Sequence, residues 1–308
     1  MQIAPGIQQI DTLLGGMAHM TAGFLISGSQ PALVETGSQS SAATVRDALT
    51  AAGVGPRDLR WLIVTHIHLD HAGAVGDLAL EFPNATVVVH EQGARHLVDP
   101  SRLIDSAARV YGPLLDGLYG RLTPVPSERV IAAGDGYRVD IGDSRALVMV
   151  DSPGHAKHHQ AVLDEQTGTL MVGDAVGVQL PGLGELRPAT PPPDFDMELA
   201  IASLHRFAGL RPEMLLLTHY GPVADPQQTL ADAEEALRRW VGVVEQTMSA
   251  TPEAGVDEVT TALAGAFAPH PEAIPDSMRE KFEVLNGVRS NATGIVRYLN
   301  RRQAVAGQ

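Results

Sequence analysis

The sequence contains no cysteine, which excludes disulfide bonds, a thiolate nucleophile and cysteine metal ligands. Aromatic residues make up only 4% of the chain, so the core must depend on alanine, valine, leucine and isoleucine. Basic residues are few beside acidic ones, and the formal net charge of −14 argues against a general nucleic-acid-binding protein. A small anionic substrate stays compatible with this charge, because bound cations reverse the field inside a pocket.

Long apolar runs are also missing, since no segment approaches the length needed to span a bilayer. The first residues, Met1–Gly6, lack the basic start and the apolar centre of a secretory signal peptide. We therefore expect a cytoplasmic protein that acts on a small molecule and binds neither nucleic acid nor membrane. Whether the chain forms a homodimer is left open.

Short apolar segments rich in strand-forming residues alternate with helical patterns over residues 1–224. This mixture favours an α/β fold with two sheets and helices packed outside them. The character changes after Pro226, where helical patterns predominate. We predict a main domain over 1–224 and a helical C-terminal extension over 225–308. The predicted strands include 24–27, 32–34, 61–64, 86–89, 145–150, 160–163, 170–172 and 214–217. The predicted helices include 40–52, 103–118 with a break at Gly112-Pro113, 227–248, 256–267 and 277–301.

The strongest chemical signal is Thr65-His66-Ile67-His68-Leu69-Asp70-His71, which directly follows the predicted buried strand 61–64. In an extended stretch, residues two apart point the same way, so His66 and His68 could bind one ion together. Asp70 and His71 lie where the chain turns into a helix and could face a second ion. A histidine-rich surface loop explains the segment less well, because burial would penalise the charged Asp70 unless it were paired.

Three further donors occur later in the chain, each directly after a predicted apolar strand: His155, Asp174 and His219. A lone histidine is more often a hydrogen-bonded core or surface residue than a ligand. Together, however, these three lie where loops leave buried strands, and functional residues gather at such positions. Imidazole and carboxylate are ligands that zinc accepts, and iron and manganese accept them too.

The combination T-H-x-H-x-D-H, then G-H, then G-D, then a final His resembles the metallo-β-lactamase fold superfamily over residues 1 to about 224. The resemblance implies a four-layered αββα sandwich with metals at one edge of the sheets, so that 1–224 would be the catalytic domain. It also implies the ligand sets: His66, His68 and His155 for the first metal, Asp70, His71 and His219 for the second, and Asp174 bridging both.

Two features indicate which branch of the superfamily the sequence resembles most. Metallo-β-lactamases of this pattern lack the bridging carboxylate and are exported, whereas this chain has Asp174, which argues against a role in antibiotic resistance. The pattern is closer to the glyoxalase II, lactonase and phosphodiesterase branches. Flavodiiron oxygen reductases share the fold but typically carry an H-x-E variant, where this chain has Asp70, and no flavodoxin-like segment is evident.

The implied activity is that of a dinuclear metal-dependent hydrolase, with zinc as the expected metal and iron or manganese as alternatives. A metal-bridging hydroxide would attack a small ester, lactone or thioester. Asp70 would also shuttle a proton to the leaving group. A phosphodiester or phosphotriester hydrolase is the alternative within hydrolases. A mononuclear iron sulfur dioxygenase and a non-catalytic binding protein are the alternatives outside them.

Candidate substrate contacts carry a weaker signal. Tyr220 could donate a hydrogen bond to substrate or pack beneath the site. Gln179, Leu180 and Leu183 follow Asp174 and could form an apolar pocket wall. One of His158 and His159 could orient a ligand, or both could be ordinary surface or strand-start residues. The C-terminal helices could cover the metal edge or form a dimer contact.

Overall fold

The computed structural model describes residues 1–181, 186–223, 225–251, 253–267 and 276–306. The strands are β1 Gln2–Ala4, β2 Ile7–Asp11, β3 Ala22–Ile26, β4 Ala32–Val34, β5 Trp61–Ile63, β6 Thr86–His90, β7 Val130–Ala133, β8 Arg138–Asp140, β9 Ala146–Asp151, β10 Gln160–Asp164, β11 Thr169–Gly173, β12 Met214–Leu217 and β13 Gly221–Val223. The helices are α1 Ala42–Ala51, α2 Leu69–Ala72, α3 Val75–Glu81, α4 Glu91–Val98, α5 Ser101–Tyr111, α6 Met197–Leu210, α7 Pro226–Ala250, α8 Val256–Ala266, α9 Asp276–Asn286 and α10 Val288–Ala306.

The strands form two sheets, so the predicted α/β architecture with C-terminal helices is confirmed. In the first sheet the strands follow chain order from β1 to β7, and in the second the order is β13-β12-β11-β10-β9-β8. Neighbours β4, β5, β6 and β7 run parallel, as do β11 and β12. Because parallel strands end at the same edge of a sheet, the loops after β11 and β12 begin side by side.

The core between the two sheets is built from aliphatic side chains, as the scarcity of aromatics requires. Ile7, Phe24 and Val88 of the first sheet pack in one buried cluster with Leu147 and Met171 of the second. Alternate residues of each strand face this layer. The β-branched run of β6 and the leucines of β12 suit interior strands, and each of these strands has a neighbour on both sides in its sheet.

Helix ends follow local sequence signals. The Asp225 side chain accepts a hydrogen bond from the backbone N–H of Gln228, and Pro226 occupies the first turn of α7. The predicted break at Gly112 is confirmed, because α5 ends at Tyr111 and Gly112 adopts a φ of 53°. A short π-helical turn, Leu115–Tyr119, follows it.

Contacts divide the chain into two compact units. The first unit comprises Met1–Asp151, His158–Gly173 and Pro212–Ala224, and it contains both sheets. The second comprises Ser152–Lys157, Asp174–Arg211 and Asp225–Gln308. The predicted C-terminal extension therefore belongs to a unit that also includes two earlier segments. No helix within the described ranges is both long and apolar enough to cross a membrane.

Candidate metal centre

The chain enters the histidine motif from β5, whose apolar residues anchor it between β4 and β6. His66 is fully buried, and its Nε2 lies 2.9 Å from Nδ1 of His68. The two imidazoles therefore converge, as the spacing of two residues in extended backbone predicts. His68 keeps extended backbone angles and is the N-cap of α2, so the helix begins directly after it.

Asp70 and His71 lie in α2 and meet His219, which follows β12. These three side chains offer ligand atoms that all lie within 4.8 Å of one another. Oδ2 of Asp70 is 3.7 Å from Nε2 of His71 and 3.5 Å from Nε2 of His219. The two Nε2 atoms are 3.2 Å apart. Both histidines are buried, so water screens this group little.

The outer nitrogens of these histidines show which atoms carry the protons. Nδ1 of His219 lies 2.8 Å from the backbone oxygen of Met20, which can only accept, so Nδ1 must donate. Nδ1 of His71 lies 2.8 Å from Oε2 of Glu35, and it donates to that carboxylate in the same way. In the neutral imidazoles both Nε2 atoms then present lone pairs toward one another and toward Asp70. Acceptors gathered in this way fit a bound cation.

Glu35 is a site residue that the sequence analysis misses. It follows β4, is 1% exposed and adopts a φ of 66°. Its Oε1 accepts a hydrogen bond from the backbone N–H of Thr65 at 3.0 Å, while Oε2 holds His71. One carboxylate therefore fixes both the start of the histidine motif and the tautomer of a histidine within it. A charged residue directly after a buried strand is the signal that could have identified it.

In the second unit, the side chains of His155 and Asp174 face each other. Nε2 of His155 lies 3.4 Å from Oδ2 of Asp174, and both residues are buried. Nδ1 of His155 lies 3.0 Å from the backbone oxygen of Ala189 and must donate to it. Nε2 is consequently the acceptor nitrogen and faces a carboxylate, which is again an arrangement that suits a cation.

Comparison with known proteins decides the family. Residues 19–219 match the sequence profile of the metallo-beta-lactamase superfamily. The chain belongs to this superfamily. The matched range begins shortly before β3 and ends at His219, and it includes the other predicted donors. The resemblance inferred from the histidine motif is thereby confirmed at the level of the superfamily.

Individual relatives agree with this assignment. A metallo-beta-lactamase fold-containing protein of Sulfurisphaera tokodaii is 30% identical over 169 residues, which cover 54% of this chain and 62% of that relative. The N-acyl homoserine lactonase AttM of Azorhizobium caulinodans is 32% identical over 116 residues, covering 37% and 38%. The solved structure of a metallo-beta-lactamase family protein of Thermus thermophilus superposes with a TM-score of 0.71 at 19% identity, covering 97% of this chain and 95% of that one. This last likeness concerns the fold alone.

Two further histidines of the first unit surround the motif. The ring of His158 stacks against that of His66 at 6.2 Å between centroids, and the ring of His159 lies 5.0 Å from it. His159 is fully buried and His158 nearly so. Of the two interpretations left open by the sequence, the structure therefore favours packing against a predicted ligand over a surface position.

The four predicted substrate contacts differ in exposure. Tyr220 is half-buried, and burial together with the charge of Asp11 raises the pKa of its phenol to about 12. Its ring lies 5.2 Å from the ring of His19. Leu180 is 1% exposed and Gln179 is partly exposed. Leu183 lies outside the described residues.

Proposed function

We propose that this protein is a metal-dependent hydrolase that uses two divalent ions to cleave a small ester, lactone or thioester. The observation that carries the proposal is the convergence of Asp70, His71 and His219, whose acceptor atoms face one another while both outer nitrogens donate elsewhere. Membership of the metallo-beta-lactamase superfamily supports it independently. A cytoplasmic location and zinc as the metal are parts of the same proposal.

The proposed ligand sets are those that the resemblance to the superfamily implies. His66, His68 and His155 would hold one ion, Asp70, His71 and His219 the other, and Asp174 would contribute to both. Ions held in this way lower the pKa of bound water and polarise the substrate carbonyl. Two imidazoles of the second set keep their orientation because Glu35 and the Met20 carbonyl hold their outer nitrogens.

Asp70 is the proposed catalytic residue. It is the most exposed member of its group, with 14% of its side chain accessible, whereas His71 and His219 are almost fully buried. A carboxylate at this position can accept a proton at Oδ2 and pass it to the leaving group. Tyr220 is proposed to donate a hydrogen bond to substrate, because it directly follows the proposed ligand His219 and a phenol is protonated throughout the neutral range.

The decisive experiment measures metal content and substrate cleavage on the same preparation. Chelator-treated protein is loaded with zinc, ferrous iron or manganese, and then assayed with an N-acyl homoserine lactone, an aryl ester, a thioester and a phosphodiester. The lactone comes first because a partial relative is named a lactonase. We expect two ions per chain and cleavage of at least one carboxylic ester, lactone or thioester.

His71→Ala should abolish this cleavage, whereas His205→Ala, at an exposed histidine of α6, should leave it unchanged. A metal-loaded protein that leaves the whole panel intact would contradict the proposal. Cleavage of the phosphodiester alone would favour the alternative hydrolase. One iron per chain with oxygen uptake on a persulfide would favour the dioxygenase.

A further inference from the structure

The segment 187–190 of the second unit lies against the proposed ligand His155. The backbone oxygen of Ala189 is 3.0 Å from Nδ1 of His155. Because a carbonyl only accepts, this contact keeps Nδ1 protonated and leaves Nε2 to face Asp174. The position of one backbone carbonyl therefore sets both the tautomer and the ring orientation of His155.

The C-terminal helices hold the residue that follows this carbonyl. Asn291 of α10 accepts hydrogen bonds at Oδ1 from the backbone N–H of Thr190 at 2.7 Å and from its hydroxyl at 2.9 Å. Both residues are 1% exposed. Nδ2 of Asn291 donates to Oδ1 of Asn286 at 2.5 Å, and Nδ2 of Asn286 donates to the oxygen of Pro188 at 3.2 Å. Ala189 is thus held on both sides by α9 and α10.

Arg187 holds the other end of the segment. It is only 4% exposed, and its Nη1 donates to the backbone oxygen of Asn286 and to Oε1 of Glu283, both at 3.0 Å. Its guanidinium lies 3.9 Å from the ring centre of Phe282. Buried charges are rarely tolerated without such partners. Helix α9 therefore provides the hydrogen-bond acceptors and the aromatic ring that this buried guanidinium requires.

The backbone of Arg187 extends this support toward Asp174. It exchanges two hydrogen bonds with Val178, at 2.9 and 3.0 Å. The preceding Gly177 donates its N–H to the backbone oxygen of Asp174 at 3.0 Å. The turn that follows Asp174 is consequently tied to the segment that α9 and α10 hold.

We infer that α9 and α10 position the His155–Asp174 pair for metal binding, with Asn291 and Arg187 as the positioning residues. This inference depends on the proposed function, because it assigns the pair to a metal. It gives the C-terminal helices a role other than a pocket cover or a dimer contact: they fix a backbone carbonyl that orients a ligand. Loss of such outer support typically weakens metal binding about 10- to 100-fold.

The test compares variants on α10. Asn291→Ala removes the acceptor of Thr190, whereas Leu299→Ala shortens a buried apolar side chain that makes no hydrogen bond. Zinc affinity is measured on chelator-treated protein by competition with a chromophoric chelator, and stability by urea unfolding. We expect Asn291→Ala to bind one of two zinc ions about 10- to 100-fold more weakly. Leu299→Ala should lose stability and keep both affinities.

Thr190→Val serves as a milder variant, since it is nearly isosteric and removes only the hydroxyl that donates to Asn291. It should weaken the same zinc ion by several-fold. The inference is wrong if Asn291→Ala and Thr190→Val bind both ions as tightly as the wild type, or if Leu299→Ala weakens binding to the same degree. A wild-type protein that binds no zinc would overturn the proposed function and this inference together.

Discussion

The two groups of donors are supported in different ways. Asp70, His71 and His219 lie in the first unit, and a side chain only 36 positions from His71, that of Glu35, orients one of the imidazoles. His155 and Asp174 lie in the second unit, and their support runs through Thr190 to a residue 101 positions further along the chain. The first group is therefore oriented by a residue that directly follows a strand of the first sheet, whereas the second depends on helices α9 and α10.

The largest expected effect is on turnover, and it should distinguish the carboxylate of Asp70 from that of Asp174. Asp70→Asn should lower turnover about 10²- to 10⁴-fold while most of the metal stays bound, because an amide cannot accept and release the proton. Asp174→Asn should instead lower the metal content, since an amide lacks the negative charge that the proposed role of Asp174 would require. Metal analysis and kcat on the same samples measure both results.

Equal losses of metal in the two variants would show that Asp70 is only a ligand. The two carboxylates would then have the same chemical role, although the two groups of donors would still be supported by different parts of the chain.

A smaller effect, on zinc affinity, is expected when Glu35 is changed, because this residue orients His71 in the first group. Glu35→Gln leaves one of two donors, the Thr65 amide or Nδ1 of His71, facing an NH2 group instead of an acceptor oxygen. Zinc affinity at the Asp70–His71–His219 group should fall about 10- to 100-fold. The measurement is the same chelator competition as for Asn291→Ala.

Asp164→Asn is the matched control, because Asp164 is a fully buried carboxylate of the same unit that pairs with Arg145 at 2.6 Å. It should cost stability, by about 3–5 kcal/mol if the pairing is lost, and keep zinc affinity. Weaker zinc binding in this control would mean that affinity simply follows stability.

The glycines that precede the donors of the second group should differ in their tolerance of a side chain. Gly154 and Gly173 adopt φ values of 135° and 51°. A Cβ at Gly154 would meet backbone atoms of Ala200 in α6, whereas one at Gly173 would lie 2.6 Å from side-chain atoms of His159 and Thr65. Side chains adjust more readily than helix backbone, so Gly154→Ala should be the more destabilising.

We expect a loss of about 1–3 kcal/mol for Gly173→Ala and more for Gly154→Ala, measured by urea unfolding. Gly209→Ala is the control, because a Cβ there would meet nothing within 4 Å in α6. It should be neutral or slightly stabilising. The reverse order of the first two variants would show that α6 yields more easily than the histidine cluster.

The smallest effect concerns the helices of the second unit alone. Burial and the hydrogen bond to Glu198 raise the pKa of Tyr298 from 10.0 to about 12. Its contribution to stability should therefore be complete below pH 10 and decrease as the pH rises toward 12. Urea unfolding of the wild type and of Tyr298→Phe, compared between pH 9 and 11.5, should show this decrease only in the wild type. Parallel curves would contradict the assignment.

Sequence patterns predict the strands well because strands depend on local signals, and the same local signals lead to the candidate donors. The strand at 61–64 and the helix that receives Asp70 occur where the pattern places them, within a residue or two. The helix predicted over 277–301 is instead two helices, α9 and α10, separated at Gly287. Helix α6 is not predicted, although Asp196 as N-cap and the buried Ala200, Leu204 and Phe207 provide the usual signals.

The groups that orient the candidate donors are harder to predict from sequence than the donors themselves. Glu35 and Asn291 bear no motif, and each acts through a partner that is distant in sequence. Only the fold shows that Ala189 supplies a carbonyl to His155, because a backbone oxygen has no signature in the amino-acid sequence. Residue types and their spacing can therefore suggest candidate ligands, whereas the groups that orient them are evident only from the fold.

The division into units has a consequence for how the chain is made. Each unit is assembled from three separate segments, so the polypeptide passes from one unit to the other five times. A ribosome releases the strand β13, which completes the second sheet, only after two segments of the other unit have already emerged. The first unit is complete only once residue 224 has emerged, after two segments of the second unit have been made, so the two units do not follow one another along the chain as domains synthesised in series do. We therefore expect chains truncated before residue 221 to be poorly soluble rather than partly active.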